Sequence, residues 1–216
     1  MEHFSIPRVF LGIFIGLFLL ASFGATVVFY GIKEAEVRAA EMNAVGFRYK
    51  PVQLAGEPSP SQSDINQALE AFDIRIPKNV KGPFFSSKLE DRGLTIRKGV
   101  MSDAVVYVGA EAFSSWALLG STLAHEIEVH CRQNFLAIHF QNISGFDGTG
   151  HAEREAYGYE LAHAERFGLT VYERDLISST MMYFYPKRQN QFVQKLEPIR
   201  FWLDRLAASG FGRVLL

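Results

Sequence analysis

Two imidazoles and two carboxylates fall within the run His125-Glu126-Ile127-Glu128-Val129-His130. The run sits in a helical, largely apolar setting, with Ser121-Thr122-Leu123-Ala124 ahead of it and Cys131-Arg132 behind. Burying so many polar groups is costly unless something binds them. A divalent metal is the usual partner of such a set. The spacing sets a geometric condition. From residue i to i+5 an α-helix rotates roughly 500°, which leaves the two imidazoles about 140° apart. They can share a metal only if one residue is absorbed, for example by a π-bulge over Ile127–Val129. The plain alternative is a surface helix with a mixed polar face and no metal.

A second segment bears on the same chemistry. Residues 151–167 read as a helix opened by Thr149-Gly150 and closed by Gly168. The first run is one residue longer than H-E-x-x-H, in which two His of one helix face hold zinc and the Glu serves as base. Within the second, Glu153-Arg154-Glu155-Ala156 matches E-x-x-A. Together they resemble the ligand and third-ligand helices of gluzincin zinc metallopeptidases. Val105–Ala112, Leu118–His125 and Glu155–Thr170 are similar to metallopeptidase domains of bacterial effectors and polymorphic toxins. The likeness covers residues 100–185, and the H-E-x-x-x-H spacing departs from it.

The resemblance implies a zincin-like domain with zinc held by His125, His130 and Glu153 and with Glu126 as the catalytic base. Two His and a carboxylate, with an open fourth position, make a catalytic zinc set. Glu128 rivals Glu126 if a bulge re-aims the helix. Glu155 rivals Glu153, and residues two apart on a helix point about 160° apart, so only one can serve. Arg132 and Arg154 are candidates to orient the ligands, and Tyr157 to hydrogen-bond an oxyanion. His139, His151 and His163 read as surface or capping residues. The implied substrate is protein or peptide, and an inhibitor or immunity protein is an implied partner.

These residues need a fold to hold them. The chain has 216 residues and a net charge of −1, room for one domain plus extras. No basic run is long enough to track nucleic-acid phosphates. Cys131 is the lone cysteine, which excludes an intrachain disulfide and a Cys-rich zinc module. Its side chain reads as a buried, inert thiol rather than a nucleophile.

Val9 to Ile32 carries no charged residue and exceeds the roughly 20 residues that span a bilayer. A transmembrane anchor over residues 1–32 is expected. Ala21–Ala25 offers an alternative cleavage site for a signal peptide. The Lys and Arg near the span ends lean toward a cytoplasmic C-terminal domain, in a bacterial inner membrane if the effector resemblance holds. Residues 33–62 read as a stalk and linker. They hold a helical continuation over Lys33–Ala44, a strand-like Gly46–Ala55 and the Pro/Ser-rich Glu57–Gln62. Residues 63–216 form the catalytic domain.

The expected fold class is α+β, mostly helical in its C-terminal half. Ser63 or Asp64 caps a helix ending near Phe72. Irregular strands follow over Ile74–Val100, and Ala104–Gly109 is a buried strand. By the zincin resemblance this last strand would bind extended peptide by edge pairing. Helices are expected at Trp116–Phe140, capped by Ser114-Ser115, and at Tyr172–Tyr185 and Gln191–Ala208. Two rival functions remain. A di-iron bundle needs two E-x-x-H helices plus further Glu, and Glu160-Leu161-Ala162-His163 supplies one. A membrane-anchored binding module would need no metal.

Overall fold

A computed structural model describes residues 6–44, 54–99 and 102–187. The strand expected at Gly46–Ala55 falls largely outside these residues, and the helix expected at Gln191–Ala208 wholly so. Helix α1 spans Ile6–Ala44. Its stretch Phe10–Gly31 is long and apolar enough to cross a membrane, and its large side chains, Phe14 and Phe18 among them, stand exposed. The helical continuation expected over Lys33–Ala44 is present.

Helix α2, Gln62–Ala71, begins earlier than its sequence signal suggested. Ser61, not Ser63 or Asp64, is the N-cap, and its hydroxyl accepts from the Asp64 N–H. Asp64 instead turns back to accept from Ser59. Three strands follow: β1 Val80–Phe85, β2 Gly93–Arg97 and β3 Ala104–Val108. They form one small mixed sheet in the order β1-β3-β2, with β1 parallel and β2 antiparallel to β3. The buried strand is therefore the central one. Both its edges are paired, so β3 cannot take an extended peptide as proposed from the sequence. Among the described residues, the edges belong to β1 and β2.

Helix α3, Trp116–Ala124, is buried over nearly its whole length from Leu118 onward. Its N-cap is Ser115, whose Oγ accepts from the Leu118 N–H at 3.0 Å. The helix does not continue to Phe140. It widens into a π-turn over His125–Val129, tightens into a 3₁₀ turn over His130–Arg132, and stops. Gln133 is extended, and the Asn134 side chain caps a new helix, α4, Phe135–Ile143, by accepting from the Ala137 N–H at 3.0 Å. Asn is among the best N-caps, and it restarts the chain in a new direction. Helices α5, Gly148–Ala162, α6, Ala164–Phe167, and α7, Val171–Phe184, complete the described residues.

Ile65, Phe72, Val106, Leu119, Leu123, Ile127, Phe167 and Ile177 make one core between the sheet and helices α2, α3, α6 and α7. Each such side chain, fully buried, contributes about 1.5–3 kcal/mol of apolar transfer. Leu119, Leu123 and Ile127 lie on the same face, so this core grips the segment that enters the π-turn and fixes its opposite face.

Candidate metal centre

The π-turn resolves the spacing conflict. The His130 N–H reaches back to the carbonyl of His125, an i→i+5 bond that takes in the extra residue. The imidazoles then converge instead of diverging. His125 Nε2 and His130 Nε2 are 3.0 Å apart. Glu153, on α5, brings Oε2 to 3.6 Å from His125 Nε2 and Oε1 to 3.4 Å from His130 Nε2. Ala152 and Ala156 are buried beside it, and their small side chains let α5 lie close to the π-turn. His125, His130 and Glu153 thus form a cluster able to hold a metal ion. Donors about 2.0–2.1 Å from a tetrahedral ion stand about 3.3 Å apart, near the separations found.

The outer nitrogens of both rings are pinned. His125 Nδ1 lies 2.7 Å from Glu160 Oε1. Arg92 grips that carboxylate with two N–H groups, at 3.0 and 3.1 Å, and also donates to Thr122. His130 Nδ1 lies 2.7 Å from Gln133 Oε1. The Gln133 amide can face only one way, because its NH₂ donates to the Ala152 carbonyl at 2.9 Å and to Glu155 at 3.0 Å. Both Nδ1 atoms therefore donate, and the two Nε2 atoms face each other across 3.0 Å, left to take up a proton or a metal ion. Two lone pairs and a carboxylate at that range repel unless a cation stands among them. An outer N–H held by a carboxylate or carbonyl is how metal-ligating His is usually oriented.

The electrostatics point the same way. Burial alone would lower the His125 pKa, but hydrogen bonds to Glu153 and Glu160 and the charges of Glu160 and Glu126 push it up to about 10. His130 is also raised, burial again being outweighed by Glu153 and Glu126. Burial would raise the Glu153 carboxyl, yet the two imidazoles hold it down at about 2. The pocket demands positive charge at one point.

The cluster lines a cleft of about 600 Å³, within the range of ligand pockets. Glu126 is on the cleft wall. Its Oε2 accepts from Thr95 Oγ1 at 2.6 Å, and its carboxylate rests against the β2 backbone at Gly93. A Cβ there would stand 2.5 Å from Glu126 Oε1, so this close approach requires glycine. Edge strand β2 contributes Gly93, Leu94 and Thr95 to the same wall. Tyr157 also faces the cleft, its ring 4.8 Å from that of His125. Burial raises its pKa well above the usual value, so it stays protonated and can donate.

The other sequence candidates lie elsewhere. Glu128 points away from the cleft into an ion pair with Arg166, at 2.6 and 3.0 Å, and accepts from Tyr159 at 2.6 Å. Glu155 accepts from Gln133 and so supports the site at one remove. Arg154 binds Asp147 and the carbonyls of Tyr185 and Pro186, and Arg132 is exposed; the two imidazoles are oriented by Arg92, Glu160 and Gln133 instead. Glu160 and His163, the E-x-x-H pair, part company: His163 Nδ1 bonds the Tyr159 carbonyl. His139 and His151 are exposed. Cys131 is buried, and burial pushes its thiol up to about 11. Gln133 carried a readable signal, an amide three residues after His130. Arg92 and Thr95 carried none, being distant in the chain.

No family model, curated protein or solved structure matches the chain. The candidate metal centre therefore stands on the geometry of its own side chains.

Proposed function

We propose that this chain is a membrane-anchored zinc peptidase. Residues 1–32 would form the anchor, 33–62 a stalk and linker, and 63–216 a zincin-like catalytic domain. The observation that carries the reading is the meeting, in one open cleft, of two oriented imidazoles, the Glu153 carboxylate and a separate carboxylate, Glu126, that the cluster does not use. Two imidazoles and one carboxylate suit zinc, with a position left for the reaction. Zinc bound there supplies Lewis acidity, bringing the pKa of water near 7 and polarising a carbonyl.

The protein's own groups do the rest. Glu126 takes a proton from the attacking water at Oε1, the oxygen not held by Thr95. It passes that proton to the leaving nitrogen as the C–N bond breaks. The water's hydroxyl ends on the new carboxyl group, and the amine leaves with the transferred proton. Amines are poor leaving groups, which makes this transfer valuable. Tyr157 O–H donates to the carbonyl oxygen as it gains charge. Strand β2, an edge strand among the described residues, runs beside Glu126, and an extended peptide can lie along it.

Replacing Glu126 by Gln tests the assignment. The variant keeps the Thr95 hydrogen bond and the metal, and peptide turnover falls by about 100-fold or more. Undiminished cleavage excludes Glu126 as base. Stoichiometric zinc with no cleavage of any peptide library favours a non-catalytic binding module.

A further inference from the structure

Helix α4 joins the metal cleft to α1. It runs antiparallel along the last part of the membrane-length stretch. Asn134 Nδ2 donates to Glu34 Oε2 at 3.2 Å. Ala137 meets Gly31 so closely that a Cβ there would stand 2.4 Å from Ala137 Cβ. Phe140 packs edge-on against Phe23, with ring centroids 6.0 Å apart. Gly31 ends the apolar stretch, and Gly24, beside Phe140, lies roughly 10 Å deeper along the helix. With Phe10–Gly31 across a bilayer, α4 descends from the headgroups at Asn134 into hydrocarbon at Phe140.

Its composition agrees with that placement. No Asp, Glu, Lys or Arg occurs between Arg132 and Asp147, and His139 is the segment's one titratable side chain. Ile143 at the deep end is 69% exposed. The neighbouring Asn142 side chain is satisfied by Thr149, at 2.8 and 3.0 Å, as polar groups near lipid must be. Arg154 ties the end of α7 to this place, bonding both Asp147 and the Tyr185 carbonyl. Tyr183 and Phe184, near the end of α7, are 80% and 63% exposed, and Tyr is enriched at membrane–water interfaces.

The same two helices form the rim of the cleft, through Phe135 and Ile138 of α4 and Leu176 and Phe184 of α7. We infer that the cleft opens onto the bilayer surface and that its substrate is the membrane-proximal stretch of another membrane-anchored polypeptide. The substrate class rests on the peptidase reading; the membrane contact of α4 does not.

Full-length protein in phosphatidylethanolamine/phosphatidylglycerol vesicles separates the two. A fluorophore on Ile143→Cys should be quenched by brominated lipids, and one on Lys88→Cys, exposed on the sheet side, should not. One peptide sequence is then offered either free in solution or attached to a transmembrane helix in the same vesicles. The anchored form should be cleaved about 10-fold faster, as confinement raises effective concentration. Ile143→Asp should abolish that preference and leave turnover of the free peptide unchanged. Equal quenching at both positions overturns the placement of α4, and equal cleavage of the two forms overturns the substrate class. Hydrolysis of neither form by zinc-loaded protein overturns the peptidase reading and this substrate class with it, and quenching, read without turnover, shows which step failed.

Discussion

Glu126 and Glu128 stand two residues apart on one π-turn, and the turn sends them to opposite fates. Glu128 faces the interior, where Arg166 and Tyr159 take up its oxygens. Glu126 faces the cleft with a single hydroxyl, Thr95, on one oxygen. Both are carboxylates in low-dielectric surroundings. What separates them is the guanidinium that pairs with one and the open cleft beside the other. A carboxylate paired with a guanidinium braces the fold. One held by a neutral hydroxyl beside an open volume is left able to meet a substrate. Burial and residue type do not mark chemistry here; the partners do.

The contrast can be broken experimentally. The largest effect expected is the loss of turnover, about 100-fold or more, in Glu126→Gln, with thermal stability close to that of the parent. Glu128→Gln should do the reverse. It leaves Arg166 buried without its anion, costing about 3 kcal/mol, or on the order of 10 °C in Tm. Turnover per folded molecule should hold. Thermal melts and initial rates on the two variants check both, and a Glu128→Gln protein that is stable but inactive would reverse the assignment.

A smaller effect is expected one step from the His125, His130 and Glu153 cluster. Glu160→Gln removes the charge that orients His125 and leaves Arg92 facing a neutral amide. Zinc affinity, read by competition with a chromophoric chelator, should weaken about 10- to 100-fold.

The smallest effect lies at the join of α3 and α7. Burial pushes the Glu173 carboxyl up, but hydrogen bonds from Ser115 and Thr170 outweigh it and hold it below its usual 4.5. A folded-state pKa below the unfolded one stabilises fully above that unfolded value, and the gain is lost as pH falls through the folded value. The Tm difference between the parent and Glu173→Gln should therefore be larger at pH 7 than at pH 3.

The π-turn was legible because the His125–His130 spacing contradicts an ideal helix, and a contradiction of about 140° has few remedies. Glu153 was legible as a ligand candidate from local spacing within one helix. The apolar run in α1 needed only a count. What escaped was non-local. Arg92 finds Glu160 across a long stretch of chain, and no pattern in either segment announces the pair. The central place of β3 depends on β1 and β2 folding onto its two edges, which an apolar run alone does not reveal. The break before α4 was written in Asn134, a strong cap, but the surrounding apolar residues concealed it. The contact of α4 with α1 joins two apolar helices, and hydrophobicity alone does not say which face meets which.

The central claim is that His125, His130 and Glu153 hold one metal ion. Elemental analysis of protein purified without a metal-affinity tag tests it most directly, on the parent and on His130→Ala, the variant that removes the ligand delivered by the π-turn. The expected result is one zinc per chain in the parent and loss of that zinc in the variant. A parent without zinc that takes up none when it is added, or a variant that retains it in full, would contradict the account.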